Sequence, residues 1–212
     1  MNWIHRTVWI VCRIVFSTWF RWRIYNPENV PRTGSAILAA NHASLLDPPL
    51  IGSALPRPMH YLARESLFHN RILKTIIEGC NAVPVDRDGG GGKGLKAILN
   101  RLKNGGAIIL FPEGTRTLDG ELQAARAGIG LSIIKSNAPV IPVRVFGTFE
   151  ALGRHHAFPR PYRVGVKYGN PLTFEKERSE AKSCDKQRLK EIYQEAATKI
   201  MDAIAALEPK HD

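Results

Sequence analysis

The chain has 212 residues, 44% of them hydrophobic and 23% charged, which fits one folded domain and excludes a disordered or collagen-like chain. Lys and Arg total 30 against 19 Asp and Glu, a net charge of +11 that calls for an anionic partner: nucleic acid, a phospholipid surface or a phosphorylated substrate. Cys12, Cys80 and Cys184 are odd in number and scattered, which excludes a disulfide framework and points to a reducing compartment.

Residues 1–24 are apolar and aromatic but interrupted by Arg6, Arg13, Arg21 and Arg23, too broken for the ~20 apolar residues of a spanning helix. No small-residue cleavage site of a secretory signal follows. At about 100° per residue, Ile4, Val8, Val11, Val15, Trp19 and Trp22 share one face, and Asn2, Arg6, Arg13, Ser17 and Arg21 lie roughly opposite. This predicts an amphipathic helix in a membrane interface, tryptophans at headgroup depth and arginines toward phosphates. The competing reading packs the helix on the domain's own core.

Residues 25–212 read as one α/β domain, a mixed, largely parallel sheet of about seven strands flanked by helices. Strands are predicted at Ser35–Ala40, Met59–Leu62, Ala82–Val85, Ala107–Phe111, Val140–Val145 and Arg163–Tyr168, with a possible first strand at Trp22–Tyr25. Helices are predicted at Pro48–Ala54, Ile72–Glu78, Lys93–Lys103, Ala124–Ser136 and Asp185–Leu207. The charged run Glu175–Lys190 reads as a solvated face and Gly89–Gly92 as a loop tip.

Four segments carry candidate chemistry. After the strand ending at Ala40 comes Asn41-His42-Ala43-Ser44-Leu45-Leu46-Asp47-Pro48. His42 falls at a strand's C-terminal edge, where open α/β sheets place their sites. Residues five apart diverge by about 140° on a straight helix, so only a turn brings His42 and Asp47 together. A carboxylate on one imidazole nitrogen fixes the tautomer and leaves the other nitrogen as a base. From these residues alone, Asp47 as a helix cap and His42 as an ordinary turn residue is the competing reading. The second segment is Phe111-Pro112-Glu113-Gly114-Thr115-Arg116, a tight turn whose Arg116 offers a planar fork for phosphate; a surface Glu–Arg pair is the alternative. The third, Ala82-Val83-Pro84-Val85-Asp86-Arg87, places Arg87 just past a short strand, with a strand-end Asp–Arg pair as its alternative. The fourth, Val140–Val145, reads mainly as a structural strand broken by Pro142.

Together these segments resemble the four blocks of the glycerolipid acyltransferases: an H-x4-D motif at His42–Asp47, an arginine-ending block at Val85-Asp86-Arg87, an F-P-E-G-T-R block at Phe111–Arg116 and a final V-P-V block at Val140–Val145. They occur in the family's order across roughly Ser35 to Gly147, and the chain is most similar to the 1-acylglycerol-3-phosphate (lysophosphatidic acid) acyltransferases. Ala125-Arg126-Ala127-Gly128 resembles the family's F-K-x-G segment with Ala for Phe and Arg for Lys. The resemblance implies transfer of a fatty acyl group from acyl-CoA or acyl-carrier protein to the sn-2 hydroxyl of a lysophospholipid, with His42 as general base and Asp47 as its partner. It further implies acceptor binding by Arg87, Glu113, Gly114, Thr115 and Arg116, Glu113 holding an arginine or an acceptor hydroxyl. Because a thiolate leaves readily, no metal and no cofactor beyond the thioester are implied, and the setting is the cytoplasmic face of a membrane. Another lysolipid acceptor, such as a lyso-ornithine lipid, keeps the same chemistry.

Several other signals fail. Arg87–Gly94 lacks the first Gly and the Ser or Thr of a P-loop. His155-His156 has no spaced third ligand and reads as a loop pair, whose place beside Arg154 could suit an anionic headgroup; neither H-E-x-x-H nor paired C-x-x-C occurs. Ser44 lies in no G-x-S-x-G elbow, so transfer through a ternary complex is preferred to a covalent serine. A non-catalytic basic nucleic-acid binder would need no His–Asp pair, and no recognised nucleic-acid motif is present.

Overall fold

A computed structural model gives the architecture and describes residues 2–85 and 92–208. Seven strands form one sheet: β1 (Arg23–Tyr25), β2 (Ala36–Ala40), β3 (Met59–Arg64), β4 (Ala82–Val85), β5 (Ala107–Leu110), β6 (Val140–Phe146) and β7 (Gly165–Tyr168). The spatial order is β1-β7-β6-β2-β5-β3-β4. The five strands from β6 to β4 run parallel; β7 is antiparallel to β6 and parallel to β1. The helices are α1 (Trp3–Thr18), α2 (Asp47–Ser53), α3 (Arg71–Gly79), α4 (Gly92–Lys103), α5 (Ala127–Ile134), α6 (Thr148–Leu152), α7 (Glu175–Glu180) and α8 (Lys186–Ala205). Short 3-10 turns occupy Pro27–Asn29 and Glu65–Phe68.

Central strand β2 explains the layering. All five of its residues are buried, because side chains alternate between two covered faces. Ala36, Leu38 and Ala40 face a core closed by Phe16 and Phe20 from the N-terminal segment and Leu50 and Ile51 from α2. Ile37 and Ala39 face a second core closed by Ile98 and Leu102 of α4, Ile129 and Ile133 of α5, and Ile192, Ala196 and Ile200 of α8. The stripe that predicts α8 from sequence is the face that docks here, with Asp185 capping the helix by accepting from the Arg188 N–H at 2.8 Å.

The N-terminal helix uses two faces. One packs on α2 and α3: the Trp9 indole donates to the Leu55 carbonyl at 2.9 Å, and the Asn2 amide to the Gly79 carbonyl at 3.0 Å. Arg13, placed from sequence on the phosphate-facing side, turns inward instead. Its guanidinium donates to the Ser53 carbonyl at 3.0 Å and lies over the Trp9 and Trp22 rings. Stacking and one carbonyl satisfy it better than the polar face would, because Arg carries a long apolar stem. The other face leaves Trp3, Ile10, Val11, Ile14 and Trp19 exposed, Trp3 at 77%. On α3, Ile72, Leu73 and Ile76 are exposed as well, Ile72 at 75%. Among the described residues no helix is long and apolar enough to cross a membrane.

Three predicted elements shift. The helix expected from Ala124 begins only at Ala127, because the Arg126 N–H is drawn to the Pro112 carbonyl at 2.9 Å and holds the preceding residues extended. The charged stretch after Glu175 contains α7, whose Arg178 donates to the Ile133 and Ala138 carbonyls. Asp47 does not cap α2; it is the first residue of that helix, and its carboxylate turns back on the preceding loop.

Candidate active site

Parallel neighbours β2 and β5 end at the same edge of the sheet, in register Ala39 to Leu110. The His42 turn and the Phe111–Arg116 turn therefore emerge side by side, and one backbone bond joins them: the Thr117 N–H donates to the His42 carbonyl at 2.8 Å. On the opposite flank, the buried Asn41 carboxamide pairs with the backbone of Val145 in both directions. It accepts from the N–H at 2.8 Å and donates to the carbonyl at 3.3 Å, extending the β2–β6 ladder with a side chain.

The loop between His42 and Asp47 closes on the carboxylate. Asp47 Oδ2 accepts the Ala43 and Ser44 N–H groups, each at 2.7 Å, and lies 2.8 Å from His42 Nδ1. Asp47 is fully buried and His42 is 8% exposed. A carboxylate oxygen at this distance from Nδ1 favours the tautomer with the proton on Nδ1, the one that leaves the Nε2 lone pair free. The ring is fixed in its plane by Phe111, which stacks on it with centroids 3.9 Å apart and planes inclined by 17°. Five-residue spacing thus becomes contact because the turn wraps one carboxylate oxygen. Ser44 is occupied elsewhere: its hydroxyl donates to the Leu152 carbonyl at 2.7 Å and accepts the Leu46 N–H at 3.1 Å.

Glu113, 3% exposed, sits against this loop. Its Oε1 accepts the His42 N–H at 3.2 Å. Its other oxygen is buried and, among the described residues, has no hydrogen-bond partner; the same holds for Asp47 Oδ1. Burial, opposed by the His42 N–H and reinforced by the Asp47 charge, pushes the Glu113 carboxyl up to about 7. Gly114 follows with φ at 71°, a left-handed turn that brings its backbone under Arg126; a Cβ there would meet Arg126 Cδ at 2.8 Å. Thr115 is half-buried between them. The half-buried Arg116 guanidinium is held below its ordinary range, first by burial, then by the charge of Arg154, against the opposing pull of Asp47. Arg116 is thereby placed within the electrostatic reach of the His–Asp pair.

Of the sequence-predicted residues, His42, Asp47, Glu113, Gly114, Thr115 and Arg116 gather at this edge; Arg87 lies outside the described residues. Asn41 was not singled out, although a carboxamide at a strand end is a signal; the run Arg154-His155-His156 reads from sequence as a loop that could suit an anionic headgroup. Among the described residues no group of three or more His, Cys, Asp or Glu side chains is arranged to hold a metal.

A family model described as Acyltransferase matches residues 21–146, which spans both turns and all but the last part of the sheet. The chain belongs to the acyltransferase family. It is 30% identical over 126 residues to the 1-acyl-sn-glycerol-3-phosphate acyltransferase of Bacillus subtilis, covering 59% of this chain and 62% of that relative. It is 28% identical over 151 residues to the Streptococcus pneumoniae protein of the same name, covering 70% of this chain and 54% of that relative. The match thus spans roughly half to three fifths of these curated relatives. The crystal structure of the 1-acyl-sn-glycerophosphate acyltransferase PlsC from Thermotoga maritima superposes with a TM-score of 0.71 at 25% identity, over 97% of this chain and 81% of that one. The likeness to PlsC extends the agreement in fold beyond the family model to almost the entire acyltransferase-family chain.

Proposed function

We propose that this acyltransferase-family chain moves a fatty acyl group from a thioester, acyl-CoA or acyl-carrier protein, to the sn-2 hydroxyl of 1-acyl-glycerol-3-phosphate, giving phosphatidic acid. The observation that carries the reading is the buried 2.8 Å contact between His42 Nδ1 and Asp47, beside a turn bearing Arg116. His42 Nε2 takes the acceptor's hydroxyl proton as that oxygen attacks the thioester carbonyl. The tetrahedral intermediate collapses, the C–S bond breaks, and the leaving thiolate recovers the proton from the imidazolium. Asp47 holds the imidazole and stabilises its charged form without itself being protonated. Arg116 binds the acceptor phosphate, while Glu113 fixes the backbone of His42.

The exposed apolar faces of α1 and α3, flanked by exposed Arg6, Arg21, Arg71 and Lys74, support a monotopic seat on the cytoplasmic face of an anionic bilayer. The test is to incubate the purified full chain with acyl-CoA or acyl-carrier protein and lysophosphatidic acid, and to follow thiol release and lipid product. His42→Ala should lower turnover by about 10³-fold or more, and Asp47→Asn by roughly 10²- to 10⁴-fold. Wild-type acylation no greater than that of His42→Ala, across several lysophospholipid acceptors, would refute the proposal.

A further inference from the structure

Arg154 lies on the exposed segment just past α6, beyond the stretch the family model covers. Two bonds tie it and Arg116 to the same loop. The Ser44 hydroxyl, inside the His–Asp loop, donates to the Leu152 carbonyl at 2.7 Å, two residues from Arg154. The Thr117 N–H donates to the His42 carbonyl at 2.8 Å, one residue from Arg116. Each arginine is thus suspended, within two residues, from the same six-residue loop. The segment also folds back on itself: the Gly153 N–H donates to His156 Nδ1 at 3.2 Å, and the His156 N–H donates to the Gly153 carbonyl at 3.0 Å, leaving Arg154 at the apex and exposed.

The backbone ties set both arginines beside one loop, and in keeping with that the charge of Arg154 helps to hold the Arg116 guanidinium below its ordinary range, after burial. Among the described residues neither makes an ion pair. Two like charges brought together, neither in an ion pair among the described residues, form a site whose electrostatics favour a dianion. A surface arginine with a structural purpose would more commonly find an acid or a carbonyl, as Arg188 and Arg178 do here.

We infer that Arg154 is a substrate-binding residue that clamps, together with Arg116, the phosphate monoester of the acyl acceptor. The inference rests on the proposed transfer reaction and adds to it a second phosphate ligand from outside the recognised blocks. A phosphate monoester could be supplied by the acceptor or by the donor, since coenzyme A also carries one. The acceptor is favoured because both arginines are tied to the loop bearing the base, where the attacking hydroxyl must sit within a few bonds of its phosphate.

The experiment compares wild type with Arg154→Ala and Arg154→Lys in the full chain. It reads binding of lysophosphatidic acid by calorimetry in detergent, and separately the KM values for acceptor and donor. Arg154→Ala should weaken lysophosphatidic acid binding and raise the acceptor KM, each on the order of tenfold, with the donor KM unchanged and kcat within about threefold. Arg154→Lys should recover part of both, since it restores the charge without the planar fork. Monoacylglycerol, which lacks the phosphate, should bind all three proteins equally. Unchanged binding of lysophosphatidic acid in Arg154→Ala would overturn the clamp, and so would a rise confined to the donor KM. Wild-type protein that binds lysophosphatidic acid but transfers no acyl group would fail the reaction, while the calorimetric comparison still decides the clamp.

Discussion

At the scale of single residues, the site is built by satisfying one carboxylate oxygen and leaving other oxygens bare. Asp47 Oδ2 takes three contacts, whereas Asp47 Oδ1 and Glu113 Oε2 take none among the described residues. Burial, with only one N–H to oppose it and the Asp47 charge beside it, pushes the Glu113 carboxyl up to about 7 from its ordinary value near 4.5. Between those values the folded protein retains a proton that the unfolded chain has released. Stability contributed by this group is therefore full below about 4.5 and is lost as pH rises through about 7. Glu113→Gln should remove that slope: the stability difference, variant minus wild type, should grow between pH 5 and 8 by up to about 3 kcal/mol in urea unfolding. A difference that stays flat over that range would show that Glu113 ionises normally. The His42–Asp47 pairing was legible in the sequence only as a spacing, because nothing in two residue types five apart distinguishes a wrapped turn from a helix cap. The ordering of four blocks removed that ambiguity. Glu113 was legible only as a member of its block: the His42 N–H that it accepts lies 71 residues away along the chain.

At the scale of elements, the strands and long helices were readable because β-branched runs and the 3.6-residue stripe of α8 report burial directly. What escaped is set by contacts far along the chain. The start of α5 yields three residues to the bond between Arg126 and Pro112, and that bond places the Arg126 side chain over Gly114. The turn consequently depends on a glycine twice, for its φ of 71° and for the room beneath Arg126. Gly114→Ala should cost about 1–2 kcal/mol of stability, chiefly from the left-handed backbone, and should raise the acceptor KM as Arg116 shifts with the turn. Thermal unfolding together with steady-state kinetics checks both. A variant as stable as wild type would mean the turn relaxes into an ordinary conformation. The two 3-10 turns, α6 and α7 are too short to produce a periodic signal, so the run Arg154-His155-His156 that follows α6 was legible only as a basic loop, without its place in the fold.

At the scale of the whole molecule, the sheet changes direction once, between β6 and β7. The parallel block carries both site turns; the β1–β7 pair stands outside it, next to the end of the N-terminal helix. That helix had two readings in the sequence, membrane surface or domain core, and its residues serve the second on one face and remain open to the first on the other. Deleting it would strip Phe16 and Phe20 from the core, so surface substitution is the cleaner probe. The triple change Ile10→Ser, Ile14→Ser and Ile72→Ser removes apolar side chains worth roughly 1.5–3 kcal/mol each when buried, and should reduce sedimentation with anionic vesicles at least tenfold. Turnover of a short-chain, water-soluble acceptor should be unaffected. Sedimentation equal to wild type would place the membrane contact elsewhere.

Arg13 and Trp9 rest on the carbonyls of Ser53 and Leu55, at the far end of the helix that Asp47 begins. Seven residues of α2, about 10 Å long, therefore stand as a strut between the leader helix and the acid of the pair. Under the proposed seating of the N-terminal helix in a lipid interface, that strut would set the height of the imidazole above the acyl chains. A lysolipid would then be selected by a ruler as much as by charge: its free hydroxyl must rise to that level, and one held deeper or carried farther out goes unacylated however well its headgroup is bound.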